Sequence, residues 1–180
     1  MNGDDERSST GVTADALTRE DQALIERYRQ TFIGSYSHTL DSKGRMVVPQ
    51  AFREQLGASF CIAPSQDFRS ISLYATLAWA RLRDRYARLG SLDSRLRRFL
   101  EQFDALSYRD QECDAQGRIL LPARIRQQIL GDEKDVEITG ASDHVRVVAA
   151  GANAEQYAAF LEDLPGILEH IDSLGSTLAE

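Results

Sequence analysis

The amino-acid sequence predicts an α+β fold in which short strands and short helices recur in two similar halves. Three observations predict it: a turn motif that occurs twice, apolar or β-branched runs beside each turn, and segments between and after the two copies with apolar side chains at helical spacing. Short apolar runs bounded by turn residues favour strands, and the wider spacing favours helices. A chain of 180 residues can bury a real core, and we expect one duplicated body rather than two large domains.

The duplicated motif is the most informative feature of the sequence. An aspartate, a glycine, an arginine and a proline each recur 73 positions later: Asp41 and Asp114, Gly44 and Gly117, Arg45 and Arg118, Pro49 and Pro122. The same offset relates Arg53 to Arg126. Identities in register inside matching apolar runs indicate an internal repeat. We therefore interpret the chain as two copies of one structural unit.

Each copy contains the residues of a tight turn. The aspartate of Asp-x-x-Gly can accept hydrogen bonds from the backbone of the turn, and the glycine can adopt positive φ at little steric cost. Asp41 and Gly44 therefore predict a tight hairpin in the first copy, as Asp114 and Gly117 do in the second. Short strands are predicted after the turns, over residues 45–48 and 118–121.

A short helix and a second hairpin are predicted to follow in each copy. Proline suits the first helical position because its missing N–H has no intrahelical partner there. Helices are therefore predicted over 50–56 and 123–130, and glycines suited to a left-handed cap end them, Gly57 and Gly131. The second hairpins are predicted from strands over 60–63 with 71–74 and over 136–139 with 145–148.

These motifs resemble the MraZ family of bacterial transcriptional regulators. The pattern runs Leu40-Asp41-x-Lys43-Gly44-Arg45 and Val48-Pro49-x-x-Phe52-Arg53, then Asp114-x-Gln116-Gly117-Arg118, Leu121-Pro122 and Arg126. The resemblance covers residues 32–149 and includes the motif, its duplication and the order of the copies. It implies two tandem AbrB-like (SpoVT-AbrB) swapped-hairpin β units with short helices. The implied domains are, in chain order, a partly disordered N-terminal extension (1–31), a first unit (35–82), a helical connector (83–105), a second unit (106–149) and an acidic helical tail (150–180).

The resemblance also implies a function. A member of this family is expected to bind double-stranded DNA as a ring-shaped homo-oligomer and to act, as a repressor, on repeated operator elements upstream of the division and cell-wall gene cluster. The motif positions would form the DNA-facing surface: Lys43, Arg45 and Arg118 first, then Arg53, Arg126 and Gln116. Residue spacing alone indicates neither the ring nor the target.

The residues themselves leave two roles open for the motif arginines. Arg45 and Arg118 each follow the turn glycine, so they could pair with Asp41 and Asp114 and stiffen the turns. Alternatively, they could present planar, forked donors to phosphate oxygens and guanine edges. The resemblance favours the second role.

The remaining motif positions differ between the copies or are ambiguous. Arg53 and Arg126, one helical turn past the prolines, are equally open to a structural role. Gln116 stands where the first copy has Lys43. Because a glutamine displaces no counterions from DNA, the two turns should contribute unequally to binding.

The distribution of charge matters because the formal net charge is −7, which seldom suits a DNA-binding chain. Residues 1–30 carry −3, residues 151–180 carry −6 without any lysine or arginine, and residues 31–150, which hold both motifs, carry +2. The acidity therefore belongs to the ends of the chain. A monomer with so few motif cations would bind phosphate weakly, and several subunits presenting the same arginines would supply avidity.

An arginine-rich segment joins the two copies. Its apolar residues from Leu82 to Phe103 keep a helical period that is interrupted near 90–91, which predicts two helices lying on the core or on a neighbouring subunit. For the arginines we favour a solvated face with ion pairs over contact with the DNA backbone.

The two ends of the chain predict further helices. Thr18 and Asp21 are spaced as a capping pair and predict a short helix after a polar, disordered stretch over 1–13. At the other end, Pro165 and Gly166 predict a break between helices over 154–161 and 167–174, which would pack or cap the body.

The sequence predicts neither an enzyme nor a metal site, and no cofactor. Its histidines, His38, His144 and His170, are far apart and have no partners at ligand spacing. Cys61 and Cys113 are isolated on predicted strands, which favours buried apolar residues over a disulfide or zinc ligands.

A cytoplasmic, nucleoid-associated protein without membrane contact is expected. No apolar run approaches the roughly 20 residues of a membrane span, and the acidic start of the chain lacks the features of a signal peptide.

Two other functions remain open from the sequence. The acidic ends and the modest charge of the body fit a structural or protein-interaction ring that binds DNA weakly. An antitoxin-like AbrB-family regulator is a third interpretation, which we disfavour because such proteins usually carry one copy of the unit per chain.

Overall fold

Residues 17–29, 31–89 and 93–178 are described by the computed structural model, which divides into the units Met1–Thr31 and Phe32–Glu180. The first unit contains helix α1 (Arg19–Arg29). At its start, the Asp21 backbone N–H donates to the Thr18 hydroxyl (3.1 Å) and the Thr18 backbone N–H donates to the Asp21 carboxylate (2.9 Å). This reciprocal pair is a capping box, so the predicted helix start is confirmed. The prediction for residues 1–13 lies outside the described residues.

The second compact unit, Phe32–Glu180, contains both copies of the repeat and includes both strands and helices. Its first copy and the connector comprise β1 (Ser35–Thr39), β2 (Arg45–Val47), α2 (Gln50–Leu56), β3 (Phe60–Pro64), β4 (Ile71–Ala75), α3 (Thr76–Arg88) and α4 (Ser94–Ala105). The second copy and the tail comprise β5 (Tyr108–Gln111), β6 (Arg118–Leu120), α5 (Ala123–Leu130), β7 (Asp135–Gly140), β8 (Val145–Ala149) and α6 (Ala150–Leu178). The predicted α+β class is confirmed, as are the short helices and the second hairpins.

The copies exchange strands. Six strands form an antiparallel sheet in the order β1-β7-β8-β4-β3-β5, and β2 pairs with β6 in a separate two-stranded sheet. Each first strand therefore pairs with the third strand of the other copy, β1 with β7 and β5 with β3. The prediction of tight hairpins at residues 41–44 and 114–117 is therefore wrong. The turns form, but the strands that flank each turn pair across the copies instead of with each other. The exchange covers the edges of β3 and β7, which would otherwise be unpaired.

An approximate two-fold axis relates the copies. Exchanging equivalent strands leaves the order of the six-stranded sheet unchanged when it is read from the other end. Equivalent residues stand opposite each other at two centres: Met46 opposite Ile119 in the β2–β6 pair, and Ser72 opposite Arg146 in the β4–β8 pair. Because β2 and β6 are antiparallel, the two motif turns lie at opposite ends of one two-stranded sheet.

The core is shared by both copies. Its largest cluster includes the fully buried Val48 and Phe52 of the first copy and Leu121 and Ile125 of the second. These pairs are equivalent under the repeat, so each copy buries the same positions. Burial of this shared surface supplies the main driving force for folding.

The connector helices pack on a second core within the same chain. Phe103 of α4 is fully buried and stacks on Trp79 of α3, with ring centroids 5.5 Å apart. Phe99 lies against Phe68 and Tyr86. Phe99 and Phe103 of the predicted stripe therefore face a core of their own chain. Residues 90–91, near which the helical period is interrupted, lie outside the described residues.

The acidic tail forms one helix, α6, which continues through Pro165. The prediction of two helices over 154–161 and 167–174 is therefore wrong. An interior proline removes one backbone hydrogen bond and costs roughly 3 kcal/mol, but the alanine- and leucine-rich turns on both sides favour helix. Large apolar side chains of α6 are 44–61% exposed: Tyr157, Phe160, Leu161, Leu168, Ile171 and Leu174.

Candidate nucleic-acid interface

The two-stranded sheet formed by β2 and β6 presents the motif. Side chains alternate along each strand, so Met46 and Ile119 point inward and are only 1% and 2% exposed. The outer face carries four side chains: Arg45, Val47, Arg118 and Leu120. This face, defined by those four residues, is called the ribbon face below.

Each motif turn is closed by its aspartate. The Asp41 carboxylate accepts hydrogen bonds from the backbone N–H groups of Lys43 and Arg45, both at 2.9 Å. Gly44 has a φ of 78°, which favours glycine. The second turn repeats the pattern, with Asp114 accepting from Gln116 and Arg118 at 2.9 Å and Gly117 at a φ of 75°. The turn chemistry predicted from Asp-x-x-Gly is confirmed in both copies.

The motif arginines pair with these aspartates. Arg45 Nε donates to Asp41 Oδ2 at 2.7 Å, and Arg118 Nε donates to Asp114 Oδ2 at 2.8 Å. About a third of each arginine side chain is exposed. The pairing that sequence analysis offered as a turn-stiffening role is therefore present, and it holds each guanidinium at the ribbon face.

The same contacts hold the aspartates ionised. The backbone N–H of Arg45 is the largest cause that lowers the pKa of Asp41 from 3.8 to about 2. Hydrogen bonding from the Arg118 side chain is the largest cause that lowers the pKa of Asp114. Both turns therefore contain an arginine–carboxylate pair throughout the neutral range.

Arg53 and Arg126 lie against the turn of the opposite copy. A Cβ added to Gly44 would coincide with the guanidinium of Arg126, and one added to Gly117 would coincide with that of Arg53. Arg126 Nη1 also donates to the Lys43 carbonyl at 3.2 Å. Each of these arginines thus contacts the turn of the opposite copy, which fits the structural role left open by the sequence, and their contact with DNA stays a prediction.

Lys43 and Gln116 occupy equivalent positions in the two turns, and both are exposed. They lie at opposite ends of the two-stranded sheet because the turns do. The approximate symmetry of the backbone is therefore not matched by the charge, since the first turn carries a lysine and the second does not.

The connector arginines form ion pairs with nearby acids. Arg83 pairs with Asp104 at 2.9 Å and Arg88 pairs with Asp84 at 2.8 Å. These pairs fit the favoured interpretation of a solvated, ion-paired face. Other arginines of α3 and α4 are exposed: Arg81, Arg85, Arg95, Arg97 and Arg98.

Sequence reasoning missed two residues of the ribbon face. Val47 is 38% exposed and Leu120 is 55% exposed. The alternation of side chains along a strand could have predicted them. Val47 and Leu120 flank the buried Met46 and Ile119, so they must share a face with the arginines.

The two cysteines and His38 lie at or beside strands of the fold. Cys61 is buried in β3, and burial raises the pKa of its thiol to about 12. Cys113 is half-buried but follows β5 instead of lying on a strand, which corrects the prediction for that residue. His38 Nε2 accepts a hydrogen bond from the Val47 backbone N–H at 3.1 Å.

The described ranges contain neither a metal-binding cluster nor a membrane-spanning helix. No cluster of three or more histidine, cysteine, aspartate or glutamate side chains there could hold a metal ion. None of the helices there has the length and apolar character needed to cross a bilayer.

Comparison with known proteins identifies a class of bacterial transcriptional regulators. A family model described as an MraZ protein of antitoxin-like character matches residues 31–102. Transcriptional regulator MraZ of Acetivibrio thermocellus is 38% identical over 116 residues, which cover 64% of this chain and 79% of that protein. The regulator of the same name from Limosilactobacillus fermentum is 32% identical over 145 residues, covering 79% of this chain and 98% of that protein. The chain belongs to the MraZ family.

Proposed function

We propose that the protein is a sequence-specific DNA-binding transcriptional regulator. In this proposal the protein is a repressor that acts as a ring-shaped homo-oligomer. Its targets are repeated operator elements upstream of the division and cell-wall gene cluster. The protein is cytoplasmic and nucleoid-associated. The observation that carries the proposal is the ribbon face, where Arg45 and Arg118, one from each copy, lie on the outer face of one two-stranded sheet with about a third of each side chain exposed. The names of the curated relatives support regulation of transcription.

The ribbon face suits a DNA duplex. The major groove is about 12 Å wide and admits a two-stranded β-ribbon. A guanidinium has five N–H donors, more than the single aspartate oxygen beside it can accept, so Arg45 and Arg118 keep donors for phosphate or guanine. The aspartates orient these planar groups before DNA arrives, which reduces the cost of ordering them on binding.

Assembly compensates for the modest charge of the body. Residues 31–150 carry only +2, and affinity for DNA rises with the number of phosphates that cations contact. A ring would present several ribbon faces on one assembly and gain avidity without any new contact. The exposed apolar side chains of α6 support self-association, since large exposed apolar patches usually mark interaction surfaces.

The decisive experiment measures binding of the full chain to the DNA upstream of its own gene, and to a scrambled duplex of equal length, at two salt concentrations. We expect tighter binding to the upstream DNA at both salts, with both affinities falling as salt rises. Equal, weak binding to the two duplexes would contradict sequence-specific regulation.

A second candidate is a protein-interaction ring that binds DNA weakly. The exposed apolar residues of the acidic helix α6 favour it. The same binding experiment separates the candidates, because this one predicts no preference for the upstream DNA. The antitoxin-like description of the family model fits the proposed repressor and also an antitoxin-like AbrB-family regulator. The same binding experiment applies to both.

A further inference from the structure

Two exposed aliphatic side chains of the ribbon face alternate with the motif arginines. We propose that Val47 and Leu120 contact the C5-methyl groups of thymines in the major groove and so contribute to choice of sequence. This inference deepens the proposed function and rests on it, since it requires that the ribbon face binds DNA.

The register of the two-stranded sheet places the four side chains in alternation. Val47 stands opposite Arg118, and Leu120 stands opposite Arg45. Opposed Cα atoms in an antiparallel pair are about 5 Å apart, and alternate residues of one strand are about 7 Å apart. Any duplex close enough to contact both guanidiniums therefore covers both aliphatic side chains as well.

The backbone that carries these side chains is held in place. The Val47 N–H donates to His38 Nε2 at 3.1 Å. The residue that follows each strand donates a hydrogen bond to the turn of the other copy. The Val48 N–H donates to the Gly117 carbonyl at 2.9 Å, and the Leu121 N–H donates to the Gly44 carbonyl at 3.1 Å. With Met46 and Ile119 buried beneath, the strands cannot rotate to bury the outer aliphatic groups instead.

Hydrogen-bond donors on the same face identify the occupant. Val47 stands opposite Arg118 and Leu120 opposite Arg45, and each guanidinium has N–H donors beyond those that its aspartate accepts. Such donors complement phosphate oxygens and base edges. Thymine is the base that displays a methyl group in the major groove, and apolar side chains recognise it by contact. Contacts to phosphate position a protein without carrying sequence information, whereas methyl contacts carry it.

The test compares two versions of the upstream duplex, one synthesised with thymidine triphosphate and the other with deoxyuridine triphosphate, which lacks only the methyl group. The parent should bind the thymine duplex about tenfold more tightly, the effect expected for burial of two methyl groups. In the double variant Val47→Ser/Leu120→Ser, binding to the thymine duplex should weaken and the ratio between the duplexes should fall towards one. Both residues are exposed, so the variant should keep the melting temperature of the parent.

A matched control separates methyl contact from general affinity. Arg45→Ala should weaken binding to both duplexes and keep their ratio. Equal binding of the parent to the two duplexes, or an unchanged ratio in the serine variant, would overturn the inference while leaving the proposed function intact. A change in the mass of the DNA-free serine variant, measured by sedimentation, would assign the face to a protein interface and also overturn it. Loss of all preference for the upstream sequence in the parent would be a failure of the proposed function itself.

Discussion

The guanidinium of Arg126 fills the space in which a side chain on Gly44 would begin, and its Nη1 donates to the carbonyl of the adjacent Lys43 at 3.2 Å. Arg53 lies in the same way against Gly117. The helix of each copy therefore supports the turn of the other copy. Each motif turn is closed by its own aspartate and is supported, in addition, by an arginine of the other copy.

This relationship predicts that Gly44→Ala destabilises the parent protein more than it destabilises an Arg126→Ala background. Alanine at the positive φ of Gly44, 78°, should cost about 1–2 kcal/mol in either background. In the parent it must also displace Arg126 and break its hydrogen bond, which adds about 1 kcal/mol. Urea unfolding with and without the substitution, in both backgrounds, measures the difference.

Gly57→Ala is the control for this comparison. Nothing lies within 4 Å of a Cβ at Gly57, so its cost should be the same in the parent and in the Arg126→Ala background. An equal cost of Gly44→Ala in the two backgrounds would show that the turn is sensitive for reasons other than Arg126.

The motif cations should differ in how they affect salt dependence. Lys43→Ala should flatten the dependence of affinity on salt because one cation no longer displaces counterions, whereas Gln116→Ala should leave the slope nearly unchanged.

Arg45→Ala and Arg118→Ala should weaken binding, by about 1–3 kcal/mol per engaged subunit where a base edge is contacted. Operator titrations at several salt concentrations, with thermal unfolding alongside, measure both effects. Arginine variants that melt much lower but bind as tightly as the parent would assign these residues to turn stability alone.

Acid should remove the stabilising effect of the Asp41 turn. The folded-state pKa of Asp41, about 2, lies below its ordinary 3.8, so the ionised carboxylate stabilises the fold above pH 3.8 and this contribution is lost as the pH falls towards 2. The difference in unfolding free energy between the parent and Asp41→Asn should be constant from about pH 5 to 7 and shrink between about pH 4 and 2. Urea unfolding across this range measures it. A constant difference down to pH 2 would contradict the assignment.

The exposed stripe of α6 should affect assembly. Sedimentation of the parent should find a closed oligomer larger than a dimer, and Leu168→Asp should reduce its mass by placing a charge on an interface. Ala159→Asp is the matched control, because Ala159 is also exposed and lies half a turn around the helix from Leu168. A parent that is monomeric at micromolar concentration would remove the avidity argument and the ring with it.

Local chemistry explains what could be predicted from the sequence. The turns follow from Asp41 and Gly44 and their repeats, because a carboxylate and a glycine close such a turn without help from distant residues. The capping pair Thr18 and Asp21 acts in the same local way. The short helices after the prolines were found for the same reason.

Features that depend on distant parts of the chain could not be predicted in this way. The pairing of β1 with β7 is set by the other copy, so nothing near Ser35–Thr39 encodes it. The position of Arg126 over Gly44 follows from the same exchange. Continuation of α6 through Pro165 went against a local rule, since one lost hydrogen bond did not outweigh the helix-favouring residues on both sides.

The inequality of Lys43 and Gln116 gives this nearly symmetric molecule a direction. Two identical chains related by a two-fold axis present the same face either way round, and such dimers match palindromic sites. Here both copies belong to one chain, so one end of the two-stranded sheet carries a cation that the other end lacks. Under the proposed function, each subunit of a ring would place its lysine-bearing end the same way round. The assembly would then follow head-to-tail repeats along DNA and distinguish one orientation of a repeat from its reverse.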